Sequence, residues 1–398
     1  MRVAISVVAV LALAGCQASN TPSATRPTAS ATQAVIASTS PTVSPSPTGA
    51  AFPSQLNCDR PVTASHGLAL FEYWNSSVLG VLDVSNPLKP KLLCWLSGAE
   101  GGRFNQSATQ IVFWIGDKLG TADLTTGKAV QTDTLPALPY EGFFSSDGTQ
   151  FAYRTGDDTN AGLYTHLYRR GDHRDLNLYF QAPIGGHGGP PFGPPDQLSF
   201  SPDGKELLDY YEFRPLSGTP PKFMVFRTAD GSVAYQLDTA AFGAWSATGS
   251  TVYFFVRGEQ GFIGELDSVG LSGQAQTVVS SINGFFWPRV TPDGGAIVYD
   301  AIDTAGLSHL WRLDLATHGA AQISTALSSK PMFVTKSTIW SDEEKPCDCG
   351  PGGASAPDGV ILAHNLSSAA DTTVDTSQAA PGVGAPQPST VGLADVWY

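Results

Sequence analysis

Charge, long apolar runs and sulfur are all scarce in this 398-residue chain. Charged residues make up 14%, against roughly 25% in ordinary soluble domains. Bases are the scarcer sign, 22 against 35 acids, for a formal charge of -13. No acid precedes Asp59, so residues 57–398 hold 20 bases and 35 acids, net -15. A surface of that sign repels phosphate backbones, which excludes nucleic acid and favours a cation or a basic protein as partner. The longest apolar run, residues 3–14, is broken by Ser6 and falls short of the roughly 20 residues that a membrane-spanning helix needs. Long-helix formers are few, whereas Gly (42) and Pro (29) abound. That balance excludes a helical bundle and predicts an all-β chain of short strands joined by punctuated turns. At 42% hydrophobic, the chain has enough apolar side chains for a large core.

Several chemistry-bearing motifs are missing too. Gly353-Ala354-Ser355-Ala356-Pro357 lacks the closing glycine of a nucleophile elbow. The glycine-rich stretch 185–189 runs into Pro190-Pro191 instead of a helix carrying Lys and Ser/Thr. Cys347-Asp348-Cys349 has no second closely spaced Cys/His pair to complete a zinc site.

What is present begins with an address. Arg2 and the apolar run lead into Leu13-Ala14-Gly15-Cys16, which resembles a bacterial lipobox: small residues admit the peptidase, and the Cys16 thiol accepts a diacylglycerol. The resemblance implies a lipoprotein signal peptide over residues 1–15 and an extracytoplasmic, membrane-anchored protein with lipid on Cys16. From Gln17 to Ala50, 19 of 34 residues are Ser, Thr or Pro and the only charge is Arg26. Such a stretch cannot bury enough apolar surface to order itself, so residues 16–55 are expected to be a tether and residues 56–398 the folded domain. Four cysteines remain, Cys58, Cys94, Cys347 and Cys349, and an exported chain favours disulfides among them, in one of three connectivities.

Self-comparison reveals a repeat. Phe144-Ser145-Ser146-Asp147-Gly148 recurs as Phe200-Ser201-Pro202-Asp203-Gly204 and Val290-Thr291-Pro292-Asp293-Gly294, with weaker copies around Ser107 and Thr248. Pro presets φ, Asp bonds its own downstream backbone, and Gly takes the positive φ of a tight reversal, so each copy is a hairpin corner. The corner positions 107, 147, 203, 248 and 293 are 40, 56, 45 and 45 apart. Second strands with alternating character start near Val78, Lys118, Gly162, Phe223, Phe262, Leu307 and Val360, making seven units; those around 66–86 and 333–366 lack a recognisable corner. This period predicts a β-propeller of four-stranded blades, seven of them, or six if one unit is a split blade.

Corner and strands resemble the PD40 (WD40-like) repeats of TolB-like propellers over about residues 56–366. The chain departs from TolB in having the tether where that protein has an α/β domain. The resemblance implies the blade and no particular activity. It raises an enzymatic alternative, because related uronate lyases are metal enzymes that use inward histidines. Here His66, His309, His318 and His364 sit in or beside predicted strands and read as structural, while His166, His173 and His187 follow no ligand spacing. The basic run Arg169-Arg170-Gly171-Asp172-His173-Arg174 reads as an exposed hairpin tip. Phe144, Phe200, Trp245, Trp287 and Trp311 read as filling between blades.

Two expectations follow from ring closure. First and last units must be neighbours and the cysteines lie only there, so a bridge is expected from Cys58 or Cys94 to Cys347 or Cys349. Naming the strands of a blade A to D, the corner joins A to B, so the B–C loops and the D–A crossings share the opposite end. That end collects Asp157, Asp158, His187, Glu259, Asp303, Asp342, Glu343 and Glu344, the candidate ligand face. No cofactor is expected. An acidic face of this kind suits a divalent cation or a basic partner. The leading functional reading is a lipid-anchored propeller that binds an envelope protein, peptide or polymer without catalysis. The alternatives are a metal-dependent envelope lyase or hydrolase with a channel site, and a structural scaffold of an envelope complex.

Overall fold

A computed structural model describes residues 52–63, 67–73, 77–157, 162–181, 197–211, 222–237, 240–257, 263–270, 274–303, 307–346, 355–368, 370–379 and 391–397. All lie in one compact unit, Ala50–Tyr398, and none belongs to a helix long and apolar enough to cross a membrane. The unit is a seven-bladed β-propeller of antiparallel sheets.

Blade 1 contains β1 (Asn57–Cys58), β2 (Leu68–Tyr73), β3 (Val78–Asp83) and β4 (Lys91–Ser97). Blade 2 is β5 (Gly101–Phe104), β6 (Gln110–Ile115), β7 (Lys118–Asp123) and β8 (Ala129–Thr134). Blade 3 is β9 (Glu141–Phe144), β10 (Gln150–Asp157), β11 (Gly162–Arg169) and β12 (Arg174–Gln181). Blade 4 is β13 (Gln197–Phe200), β14 (Glu206–Tyr211), β15 (Lys222–Arg227) and β16 (Val233–Leu237). Blade 5 is β17 (Ala240–Trp245), β18 (Thr251–Arg257), β19 (Ile263–Gly270) and β20 (Gln276–Asn283). Blade 6 is β21 (Phe286–Val290), β22 (Ala296–Ile302), β23 (Ser308–Asp314) and β24 (Ala320–Gln322). Blade 7 is β25 (Ser328–Phe333), β26 (Thr338–Pro346), β27 (Ser355–Asn365) and β28 (Ala370–Thr373). The last strand, β29 (Val391–Trp397), pairs with β2, so blade 1 has the order β29, β2, β3, β4, β1. First strands of neighbouring blades touch one another, as β5 touches β9 and β21 touches β25, so the A strands line the axis.

The corners are held by local chemistry. In four copies the Gly148, Gly204, Gly249 and Gly294 amides donate to the carbonyls of Ser145, Ser201, Ser246 and Thr291 at 2.8–2.9 Å. These glycines adopt φ of 70° to 74°, open to residues without a Cβ. Asp147, Asp203 and Asp293 each accept from the hydroxyl two residues back (2.6, 2.8 and 2.5 Å) and from the amide two residues on. Blade 7 makes its corner with a different turn, in which the Thr335 hydroxyl accepts from the Ser337 and Thr338 amides. Blade 1 has no A–B corner because its A strand comes from the far end of the sequence.

Apolar faces meet between blades, not in one central core. Leu70, Leu79 and Val81 pack on Ile111 and Phe113 between blades 1 and 2, and Phe223 and Phe254 join blades 4 and 5. The closing interface of blades 7 and 1 is built on Trp340, whose ring lies edge-on to Phe71 at 5.5 Å while its Nε1 donates to the Pro87 carbonyl at 3.0 Å. Packing already begins at Phe52, stacked on Phe113 at 5.3 Å in the space over Gly120 that a Cβ would fill.

The disulfide corrects one expectation. Cys58 and Cys94 are register partners on β1 and β4 and are bonded to each other, so neither bridges to Cys347 or Cys349, which lie outside the described residues. Closure instead rests on the β29–β2 ladder. The bond spans 36 residues, worth about 4 kcal/mol in the chain-entropy model, and it pins the added outer strand to blade 1.

Candidate functional site

Strand B carries one comparable position in six blades, set by its register to strand A. Trp114, Arg154, Tyr210, Phe255, Asp300 and Asp342 lie opposite Gly101, Glu141, Gln197, Ala241, Phe286 and Ser329. The position is near the B–C end, and three of its residues, Arg154, Asp300 and Asp342, belong to two buried charge clusters.

In blade 3, Arg154 is almost fully buried. It donates to Glu141 at 2.5 Å, to Asp209 of blade 4, and to the Tyr210 carbonyl at 3.0 Å. The Thr165 hydroxyl completes Asp209 at 2.7 Å. Burial, reinforced by the Asp209 charge, holds the Glu141 carboxyl above its usual range although Arg154 opposes it.

Blades 5 to 7 differ from the rest. Each inserts one extra residue in strand A, a β-bulge, and in each a non-glycine residue takes positive φ: Phe242 (38°), Trp287 (51°) and Lys330 (56°). Backbone strain of about 1–3 kcal/mol per residue persists only where the surroundings enforce it, and it gathers at functional sites. Lys330 Nζ lies 5.8 Å from the Trp287 ring centre and 3.4 Å from Asp342 Oδ2. Its amide donates to Asp300 Oδ2 at 2.9 Å, while Asp300 Oδ1 has no hydrogen-bond partner among the described residues. Arg289, two residues past Trp287 in β21, makes no ion pair among the described residues and donates to the Pro288 carbonyl at 3.1 Å; the desolvation of its guanidinium pulls it below its usual range, against the opposing charge of Asp300.

Burial is the main force raising the Asp300 carboxyl far above its usual value, and Glu344 and Asp342 add to it against the Lys330 amide and charge. Asp342 is raised for the same leading reason. The folded state therefore keeps an Asp300 proton that the unfolded chain releases above about pH 4, so this group's contribution lowers stability as pH climbs from there toward the folded value. We expect Asp300→Asn to unfold at higher urea than the parent at about pH 7 and to match it near pH 4. A variant no more stable at neutral pH would remove the buried acid from this account.

The expected ligand face is met only in part. Asp158, His187 and Glu259 fall outside the described residues, and Asp157 ends β10 at the B–C end. Asp303 does lie in a B–C loop, but it serves the loop itself, accepting from the Leu307 amide at 2.9 Å. Asp342, Glu343 and Glu344 are not loop acids: β26 continues to Pro346, placing all three in a strand, with Asp342 buried and the two glutamates half-buried. The polar run reads as a loop because β26 and β27 extend their hairpin past the core, where no apolar alternation is required. Trp287, expected as filler, does pack against the core, yet it also forms the wall beside Lys330. Lys330, Arg289, Asp300 and Arg154 gave no sequence signal; only the spacing of Asp300 and Arg154 from their corners marks them as equivalent.

One arrangement has the connectivity of a hydrolytic triad. Ser341 Oγ is 2.6 Å from His364 Nε2, and His364 Nδ1 is 2.7 Å from Asp371, which also accepts from Ser324 at 2.6 Å. Ser341 has no exposed surface and His364 almost none, so no substrate reaches the hydroxyl. A comparable relay, Thr155–His166–Asp175, crosses blade 3, and both tie strands B, C and D together. Among the described residues no group of three His, Cys, Asp or Glu is placed to hold a metal ion.

Neither a family model nor a curated protein matches the sequence. Solved structures do match by shape. An oligogalacturonate lyase in complex with manganese superposes with a TM-score of 0.52 at 12% identity, over 80% of this chain and 98% of that one. The tricorn protease gives 0.53 at 10% identity, over 83% of this chain but 36% of the protease. TolB from Acinetobacter baumannii gives 0.39 at 16% identity, over 64% of this chain and 62% of that one. What this chain shares with the first two is the propeller fold. At these identities the likeness extends to no activity.

Proposed function

We propose that this protein is a lipid-anchored, extracytoplasmic propeller that binds a basic protein or peptide segment at the bulged mouth of its channel, without catalysis. The observation that carries the reading is the placing of Lys330 between the Trp287 ring and the Asp342 carboxylate. A ring face beside a carboxylate is the chemistry that holds a cationic side chain, and here one of the chain's own lysines occupies it. Glu343 and Glu344 follow on the same strand, and the net charge of -15 on residues 57–398 draws a basic partner in from a distance. The lipobox-like Leu13-Ala14-Gly15-Cys16 and the Ser/Thr/Pro tether supply the anchoring part of the proposal.

Titrating the full chain with octalysine, and with octaglutamate as control, tests it. Octalysine should bind saturably and weaken as salt rises, octaglutamate should not bind, and Glu343→Lys with Glu344→Lys should remove binding. Lys330→Met vacates the internal cation and should tighten octalysine several-fold. Binding that ignores salt, or that survives the double charge reversal, would overturn the proposal.

A further inference from the structure

A second opening lies away from the channel mouth, on the outer strands between blades 2 and 3. It is a groove of about 540 Å³, within the usual size of small-molecule pockets. Pro136 is the one apolar residue of its lining; the rest are amide, hydroxyl, carboxylate, phenol and imidazole groups. At its floor the buried Asp133 carboxylate accepts from His173 Nδ1 (2.9 Å), Arg170 Nε (3.2 Å) and the Tyr168 hydroxyl (3.3 Å). Burial would raise this carboxyl, but hydrogen bonds from Thr132, Arg170 and His173 and the Arg170 charge outweigh it, so Asp133 is ionised and already neutralised. Asp175 is held from behind by the Tyr153 hydroxyl (3.0 Å) and His166 Nδ1 (2.9 Å) and remains partly exposed, with lone pairs to spare.

His173 occupies φ 52° in the β11–β12 turn, where the corresponding turns of blades 2 and 4 place Gly127 and Gly231 at φ 71° and 77° and that of blade 6 places another histidine, His318, at 59°; His173 differs in lining the groove. The strained position presents the imidazole at the groove wall, 69% of it exposed, while one nitrogen fixes it to Asp133.

The lining selects its ligand by exclusion. An apolar molecule would desolvate these polar groups without replacing their hydrogen bonds. An anion would meet the Asp133 and Asp175 carboxylates, and a cation would find Asp175 alone, because Arg170, set behind the lining, already neutralises Asp133. A hydroxyl both donates and accepts, and a carboxylate with free lone pairs takes two neighbouring hydroxyls. We infer that this groove binds a neutral saccharide, with Asp175, the Thr132 and Thr134 hydroxyls and the His173 ring as its contacts. The inference is independent of the basic-partner site.

The test is calorimetric titration of the full chain with maltohexaose, cellohexaose and chitohexaose. At least one should bind saturably with an affinity little changed by salt, since the sugar carries no charge. His173→Gly suits the positive φ, which offsets the lost bond to Asp133, so the variant should still melt cooperatively; Thr134→Trp fills the groove from an exposed position. Loss of about tenfold or more in affinity in either variant supports the assignment. Failure of all three sugars to bind, or an affinity unchanged in both variants, overturns it.

Discussion

Removing residues 391–398 is expected to abolish the cooperative unfolding transition. β29 supplies the innermost strand of blade 1 and pairs with β2 from Leu68↔Trp397 to Tyr73↔Val391. Without it, β2 becomes an open edge. Its backbone groups lose their partners in a region where Leu68, Ala69, Leu70 and Phe71 are fully buried, and each lost hydrogen bond there costs about 1–3 kcal/mol. The loss summed over about six such bonds is comparable with the whole 5–15 kcal/mol margin typical of a folded domain. An open apolar edge also templates pairing between chains. The truncated protein should therefore show no sharp melt and should aggregate or be rapidly proteolysed. A truncated chain that melts within a few degrees of the parent would show that the ring does not depend on this strand.

Replacing Arg154 should have the next largest effect. Its guanidinium is the shared partner of Glu141 and Asp209, in adjacent blades, and all three are buried or nearly so. Arg154→Met leaves two carboxylates facing each other without a counter-charge. Breaking a buried pair in this way typically costs about 3–5 kcal/mol. Removing the acids as well, with Glu141→Gln and Asp209→Leu added, should recover most of that loss, because an apolar replacement of a whole buried cluster is often close to neutral. Urea midpoints of the two variants decide the matter. A single variant within about 1 kcal/mol of the parent would mean that the cluster is not held as described.

The repeat was legible because its chemistry is local. Asp147, Asp203 and Asp293 are each satisfied within the same turn, so a few residues suffice to show the hairpin, and six C strands start within one residue of the starts read from alternation, while β27 starts at Ser355, five residues before Val360. Blade 1 lacks a corner for a topological reason, since its first two strands lie more than 300 residues apart. Sequence shows which units meet at ring closure but not that a short outer strand, β1, sets Cys58 directly opposite Cys94, which places the disulfide within blade 1 and not across the closure. The charge clusters were hidden for a similar reason. Arg154 meets Asp209 only across a blade boundary, and Lys330 faces Trp287 only because both A strands bulge, an insertion that alternation in a five- or six-residue strand does not reveal.

Hydrogen exchange of the full chain, with and without octalysine, is the most direct test of the binding-face account. Slowed exchange in the segments 286–290, 328–333 and 339–346, at the bulged end of blades 6 and 7, is the predicted result. Protection confined to the opposite end, at the corners 147–149, 203–205 and 293–295, would contradict it.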